Sequence, residues 1–296
     1  MSPYIYYIFL EGFSSGQLFF CVILCIIFLV IKMIIDFHTH AFPDKIAERA
    51  ISSLVERCGN LYMPCANGTL SNLVSNMDKF SVDISVVQPV ITKQSQTESL
   101  NLWAKDIQNE RIISFGGLFP HTDNYKRDID YICSLGLKGI KLHPEYQQFT
   151  LDDPKMLKMY DYALSKGLML LFHAGFDPAF PPPYHSNPKA FAEISKQLQG
   201  GTIIAAHLGG QKQWDDVEKY ICGTGIYLDT SMGFSYYSKE QFLRILKSHG
   251  ADKILFGSDS PWSKADEEIA AINSLPISEE EKELIFSGNA KRLLKL

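Results

Sequence analysis

Continuous apolar runs, each only a few residues long, punctuate the chain at 34–37, 84–89, 112–119, 139–143, 168–173, 202–207, 226–229 and 254–259. They are rich in Val, Ile, Leu and Phe and do not alternate with polar residues, so they read as strands buried on both faces, as in a parallel sheet. Between them the period changes. Ile46, Ala47, Ala50, Ile51, Leu54 and Val55 fall at helical spacing within 44–56, and 71–80, 152–165, 188–198, 211–221, 239–248 and 264–272 repeat the pattern. Strand and helix in alternation predict a parallel α/β fold. The stretch from Met33 to Leu296 is close to the ~250 residues of one (β/α)8 TIM barrel, so a single such domain over 33–296 is expected. The connections 59–69 and 175–187, the latter containing Pro181-Pro182-Pro183, Tyr184 and His185, read as functional loops.

The first 32 residues stand apart. Leu18 to Ile31 is uninterruptedly apolar but shorter than the ~20 residues that cross a bilayer, and the first Lys or Arg is Lys32, so the basic leader of a secretory signal is missing. Extending the run would consume Ile34 and Ile35, which the first strand needs. We expect translation to begin at Met33, with 1–32 an upstream in-frame extension. A membrane anchor or export signal is the alternative, and only retention of 1–32 would bring a membrane partner or an exported location in place of the cytoplasmic one.

Composition is that of an ordinary globular protein: 296 residues, 46% hydrophobic and 21% charged, which excludes disorder. A net charge of -5 gives no overall attraction for nucleic acid, so a small-molecule substrate is expected; the chain is open to homo-oligomer formation. The six cysteines, Cys21, Cys25, Cys58, Cys65, Cys133 and Cys222, show no CxxC pairing and read as reduced thiols.

Several of the apolar runs end in metal-ligand residues. His38-Thr39-His40 closes the first and, by the period of two in a strand, puts both imidazoles on one face. His173, His207 and Asp259 end later runs. Strand-end side chains of a barrel converge on one rim, so these residues together point to a metal site. Asp36 shares the face of His38 and His40 and reads as a buried partner outside the catalytic set.

The segments Asp36-Phe37-His38-Thr39-His40, Lys138-Gly139-Ile140-Lys141-Leu142-His143-Pro144, Phe172-His173-Ala174-Gly175, Ala206-His207-Leu208-Gly209-Gly210 and Phe256-Gly257-Ser258-Asp259-Ser260-Pro261-Trp262 resemble the amidohydrolase superfamily, in the branch called amidohydrolase family 2, which also contains aminocarboxymuconate-semialdehyde decarboxylase. The resemblance runs from Met33 to the closing Gly288-Asn289-Ala290-Lys291-Arg292-Leu293. It implies one divalent metal ion per chain, Zn2+ foremost, held by His38, His40, His173 and Asp259 with a position open for water or substrate. Asp259 would accept the proton of an activated water and pass it to the leaving group, and His207 would polarise the scissile carbonyl or orient the water.

The expected activity is hydrolysis of a small amide, lactone or ester. A nonoxidative decarboxylase using the same residues is the first alternative. A TatD-like deoxyribonuclease is the second and needs a glutamate ligand, for which Glu145 is the nearby candidate. A membrane-tethered binding protein is the non-enzyme alternative. Lys141 is read as an unmodified cation that holds a substrate carboxylate or phosphate, rather than as a carbamylated lysine bridging two metals. His143 reads equally as a substrate contact and as loop packing. His121 and His185 are placed at the mouth, and His249 at a helix C-terminus as a dipole partner. No arginine stands at a central strand end.

Overall fold

The computed structural model describes residues 33–198 and 200–296. The apolar segment 1–32, with Cys21 and Cys25 in it, lies outside the described residues. Among the described residues the strand segments are β1 (Ile35–Thr39), β2 (Ile84–Val87), β3 (Ile112–Ser114), β4 (Gly116–Gly117), β5 (Gly139–Leu142), β6 (Met169–Phe172), β7 (Ile203–Ala205), β8 (Tyr227–Asp229) and β9 (Ile254–Leu255). Neighbours in sequence are neighbours in space and every pairing is parallel. The seam between β9 and β1 is closed by Phe37 N–H donating to Phe256 O at 2.8 Å and Asp259 N–H donating to His38 O at 2.8 Å. The result is a TIM barrel.

The expected run 112–119 is broken in two at Phe115. Gly116 and Gly117 are weak strand formers, and the buried Asn101 takes over part of the ladder, accepting from Gly117 N–H at 2.9 Å and donating to its carbonyl at 3.0 Å. Phe115 meanwhile turns its ring edge-on to Phe37 at 5.7 Å. β7 and β9 end short of the predicted runs, because His207 and Asp259 lie beyond their strands in left-handed backbone, φ 56° and 68°.

The outer helices are α1 (Asp44–Arg57), α2 (Leu70–Phe80), α3 (Thr97–Asp106), α4 (Tyr125–Ser134), α5 (Pro144–Gln147), α6 (Pro154–Ser165), α7 (Pro188–Gln197), α8 (Trp214–Tyr220), α9 (Lys239–His249), α10 (Ala265–Asn273), α11 (Glu279–Glu283) and, after a π-turn, α12 (Asn289–Leu294). Their starts are chemically marked. Thr69 caps α2 by accepting from Asn72 N–H, and Asp153, Asn187 and Ser238 cap α6, α7 and α9. α3 and α4 were not singled out by the apolar spacing, since each puts only two apolar side chains or fewer into the fully buried layer. His249 is buried at the end of α9, its Nε2 2.8 Å from Ile226 O, so it packs α9 onto β8 rather than serving the helix dipole. Cys58, Cys65, Cys133 and Cys222 are free thiols. No helix of the described residues is long and apolar enough to cross a membrane.

Two buried carboxyls hold the architecture around the site. Asp36 accepts from Ser258 N–H at 2.9 Å and from its hydroxyl, tying β1 to the chain after β9; burial pushes its pKa up to about 7. Glu268 of α10 accepts from the N–H groups of Gly233 and Phe234, 3.2 and 3.4 Å away, and so anchors the loop that follows β8. Burial raises the Glu268 pKa to about 8. The folded chain therefore keeps a proton that the unfolded chain releases above about pH 4.5, and stability contributed by this group falls as pH rises through that window and levels off above about 8. Glu268→Gln retains the neutral form at every pH. Its stability relative to wild type in urea titrations should rise by up to about 4 kcal/mol between about pH 5 and pH 8, and a pH-independent difference would refute the assignment.

Candidate active site

Beyond the strand ends lies a cavity of about 790 Å³, and His38, His40, Lys141, His143, His173, His207 and Asp259, the predicted site residues, all line it. His38 is inside β1 and His40 just after it. Their Nε2 atoms face each other at 3.2 Å, and Asp259 Oδ1 stands 3.4 Å from the first and 3.2 Å from the second. Asp259 can reach them because its left-handed backbone is held by Trp262 N–H donating to its carbonyl at 2.8 Å. Gly257 matters here: a Cβ on it would come within 2.9 Å of His38 Cβ.

The proton positions on these rings follow from partners that can only accept. His38 Nδ1 lies 2.8 Å from Asp229 Oδ2 and His40 Nδ1 lies 2.9 Å from the Gln88 carbonyl, so both rings carry Nδ1–H and turn Nε2 to the cavity; in the neutral His38 ring that Nε2 is a bare lone pair. His207 Nδ1 lies 3.2 Å from Ser231 O, so it too is a donor, and its Nε2 lies 3.1 Å from His173 Nδ1. His173 Nε2 is buried and has no hydrogen-bond partner among the described residues. Burial lowers the pKa of His38 to about 4 and that of His173 well below the usual imidazole value, with nearby Lys141 and His143 respectively adding to the effect, so both rings are neutral.

Two imidazole nitrogens and a carboxylate oxygen thus form a triangle with sides of 3.2, 3.2 and 3.4 Å. Three such electron-rich atoms so close together need a proton or a metal cation between them. The edge of a tetrahedron with metal–ligand bonds of ~2.0–2.1 Å is about 3.3–3.4 Å, so the triangle fits a zinc-sized divalent ion. The cation of this chain that reaches the place is Lys141, buried at 1% exposure, with Nζ 3.0 Å from His38 Nε2 and its pKa lowered by burial to about 8. Burial pushes the Asp259 carboxyl up, but His38 and His40 outweigh it and hold the group below the usual carboxylate range. His173, the fourth expected ligand, stands in an adjoining cluster with His143 and Asp177.

His143 serves the walls of the cavity as well as its surface. Its ring stacks on His173 at 4.1 Å, its Nε2 is 3.3 Å from Asp177 Oδ2, and it caps α5. Glu145 does not reach the site; its carboxylate accepts from Ser186 and from His185 N–H and locks the proline-rich loop. His121 and His185 do not line the cavity. Sequence reasoning missed Asp229 and Ser231. Asp229 accepts from His38, from His207 N–H at 3.0 Å, and from the backbone N–H and hydroxyl of Ser231. Burial raises the Asp229 carboxyl but these partners hold it well below its usual range. The signal was present in that Asp229 ends a strand run, as the chosen residues do.

Residues 35–296 match the family model described as Amidohydrolase. The chain belongs to the amidohydrolase family. No curated protein matches it. Among solved structures, an uncharacterized TIM-barrel protein from Bordetella bronchiseptica is similar at TM-score 0.71 and 20% identity, with 89% of this chain and 98% of that chain covered. The 5-carboxyvanillate decarboxylase from Sphingomonas paucimobilis is similar at TM-score 0.65 and 13% identity, covering 90% and 99%. A probable 2-pyrone-4,6-dicarboxylic acid hydrolase from Acinetobacter baumannii follows at 0.61 and 16%, covering 89% and 99%. At these identities the likeness speaks for the fold, while the family match makes the chain an enzyme of the amidohydrolase superfamily, whose members depend on metal. The His and Asp groups of its cavity fit that dependence.

Asp229→Asn keeps the shape but leaves His38 Nδ1–H facing an amide that can present N–H. Metal affinity, read by competition with a chelator, should fall about 10–100-fold with the fold retained. Unchanged affinity would show that Asp229 does not orient His38.

Proposed function

We propose that the protein is a mononuclear metal-dependent hydrolase acting on a small amide, lactone or ester. The observation that carries this reading is the close triangle of His38 Nε2, His40 Nε2 and Asp259 Oδ1. These residues, with the free Nε2 of His173 beside them, would hold the ion. When bound there, a divalent ion supplies a Lewis acid that polarises a carbonyl and lowers the pKa of water towards ~7. Asp259, kept ionised by its imidazole neighbours, is the base that accepts the proton of the attacking water and returns it to the departing amine or alkoxide. His207 orients the substrate carbonyl from the neighbouring wall, its own ring fixed by Ser231. Lys141 holds an anionic group of the substrate close to the reacting carbon. Zinc is the first choice of ion because three imidazoles and a carboxylate are a borderline set.

Nonoxidative decarboxylation is the second reading, and two observations favour it. Lys141 gives the floor of the cavity a cation suited to a carboxylate, and a similar fold carries the name 5-carboxyvanillate decarboxylase. On this reading Asp259 would hold the proton delivered to the carbon as carbon dioxide leaves.

Elemental analysis of the purified chain should find one divalent ion, reduced to trace levels in His38→Ala, His173→Ala and Asp259→Ala. Folded protein resupplied with zinc or manganese that binds none rejects both readings. His207→Gln should keep its metal and lose about 10²–10⁴-fold in kcat. Release of carbon dioxide from an aromatic acid, with no hydrolysis of lactones, amides or esters, would replace the first reading by the second.

A further inference from the structure

The cavity extends well beyond the triangle at its floor, and its outer wall differs in charge. α1 turns Arg49, Ser53 and Arg57 towards it, and Lys93 faces them from the loop before α3. The carboxylates that line the cavity, Asp177 and Asp259, are both engaged, the first by His143 and the second by His38 and His40. Neither Arg49 nor Arg57 has a carboxylate partner among the described residues, whereas Arg111, Arg127 and Arg244 pair with Asp78, Asp128 and Glu218. The two unpaired arginines are eight residues apart on one helix, about 12 Å in rise, a span that two arginine side chains can close from either end. Arg57 is placed by an aromatic path. Its guanidinium lies 5.8 Å from the Tyr146 ring centre, that ring meets His143 at 4.7 Å, and His143 stacks on His173 at 4.1 Å.

We propose that the outer end of the cavity is a carboxylate subsite formed by Arg49 and Arg57, so that the substrate carries an anionic arm distant from its reacting group. The proposal rests on the reading of the cavity floor as the reaction centre and names the class of substrate that reading left open. A guanidinium presents a planar fork of N–H donors that matches a carboxylate in two parallel hydrogen bonds, and an arginine stacked near a tyrosine ring is already restrained in direction. Apolar and aromatic side chains, Leu54, Trp103, Phe176 and Trp262 among them, also line the cavity, which suits an unsaturated or ring skeleton joining the two polar groups. Solvent at the mouth screens the contact, so the gain per arginine is modest.

Matched acids test it: benzoate against isophthalate and hexanoate against adipate, with binding to the full chain read by calorimetry and by the fluorescence of Trp103 and Trp262. At least one dicarboxylate should bind about tenfold or more tightly than its monocarboxylate partner. Arg49→Gln/Arg57→Gln should erase that advantage, with the melting temperature and metal content unchanged and monocarboxylate binding within about threefold of wild type. Absence of any dicarboxylate preference, a preference that survives the double substitution, or no binding by any of the acids overturns the subsite. Metal content measured on the same samples separates the two readings. A metal-bearing protein without the preference loses the subsite alone, and a protein that takes up no metal yet keeps the preference loses the proposed reaction centre alone.

Discussion

The fully buried carboxylate of Asp229 is the constraint on which the site depends. A charge in a barrel interior costs several kcal/mol unless its oxygens are satisfied, and here Oδ1 and Oδ2 accept from His38 Nδ1–H, His207 N–H, Ser231 N–H and the Ser231 hydroxyl. Each partner is thereby oriented. His38 is fixed as the tautomer with a bare Nε2. His207 is held in left-handed backbone, a conformation that costs of order 1 kcal/mol for a residue other than glycine. The Ser231 hydroxyl, having donated to Asp229, is left to accept from His207 Nδ1, 2.9 Å away. One carboxylate therefore orients His38 directly and His207 through Ser231, and His207 in turn meets His173.

This chain of consequences needs a frame in which β1, β8 and the segment after β9 are adjacent, and barrel closure supplies it. Asp36 and Ser258 tie that seam, while Gly257 lets the chain approach His38 closely enough for Asp259 to turn inward. The short β9 has a corresponding role: by leaving the ladder after Leu255 it frees Ser258 and Asp259 to bond sideways, to Asp36 and to the two imidazoles.

Legibility in the sequence follows the same division. The position of every strand could be read because buried parallel strands are continuous apolar runs, whereas α3 and α4 could not; His38, His40, His173, His207 and Asp259 could be read as cavity-lining residues because the ends of those runs face one rim. What the runs could not convey was distance in space. Asp229 and Ser231 are an ordinary strand end and loop in sequence; their importance arises only when β8 lies beside β7 and β9. Glu145, beside the His143 motif, looked available as a ligand and is consumed by Ser186 of a loop forty-one positions away. Arg49 and Arg57 belong to an amphipathic helix, where exposed arginine is the common case, and only the cavity boundary distinguishes them from other surface charges.

Charge balance links the floor to the rest of the cavity. Asp229 and Asp259 are held ionised, whereas burial keeps Glu268 protonated at neutral pH and raises the Asp36 pKa to about 7. Two negative charges near the floor match one divalent cation. Lys141 is then in excess. Its ammonium, 3.0 Å from His38 Nε2 and already lowered to a pKa of about 8 by burial, would share that nitrogen with a bound ion and would then either release its proton or find an anion. A substrate that brings negative charge to the floor resolves the excess, and a neutral one does not. On the proposed reading, the same cation that would make the floor hospitable to a carboxylate or a developing oxyanion would disfavour an uncharged ligand, so that selection of substrate would begin at the strand ends as well as at the arginine-bearing wall of α1.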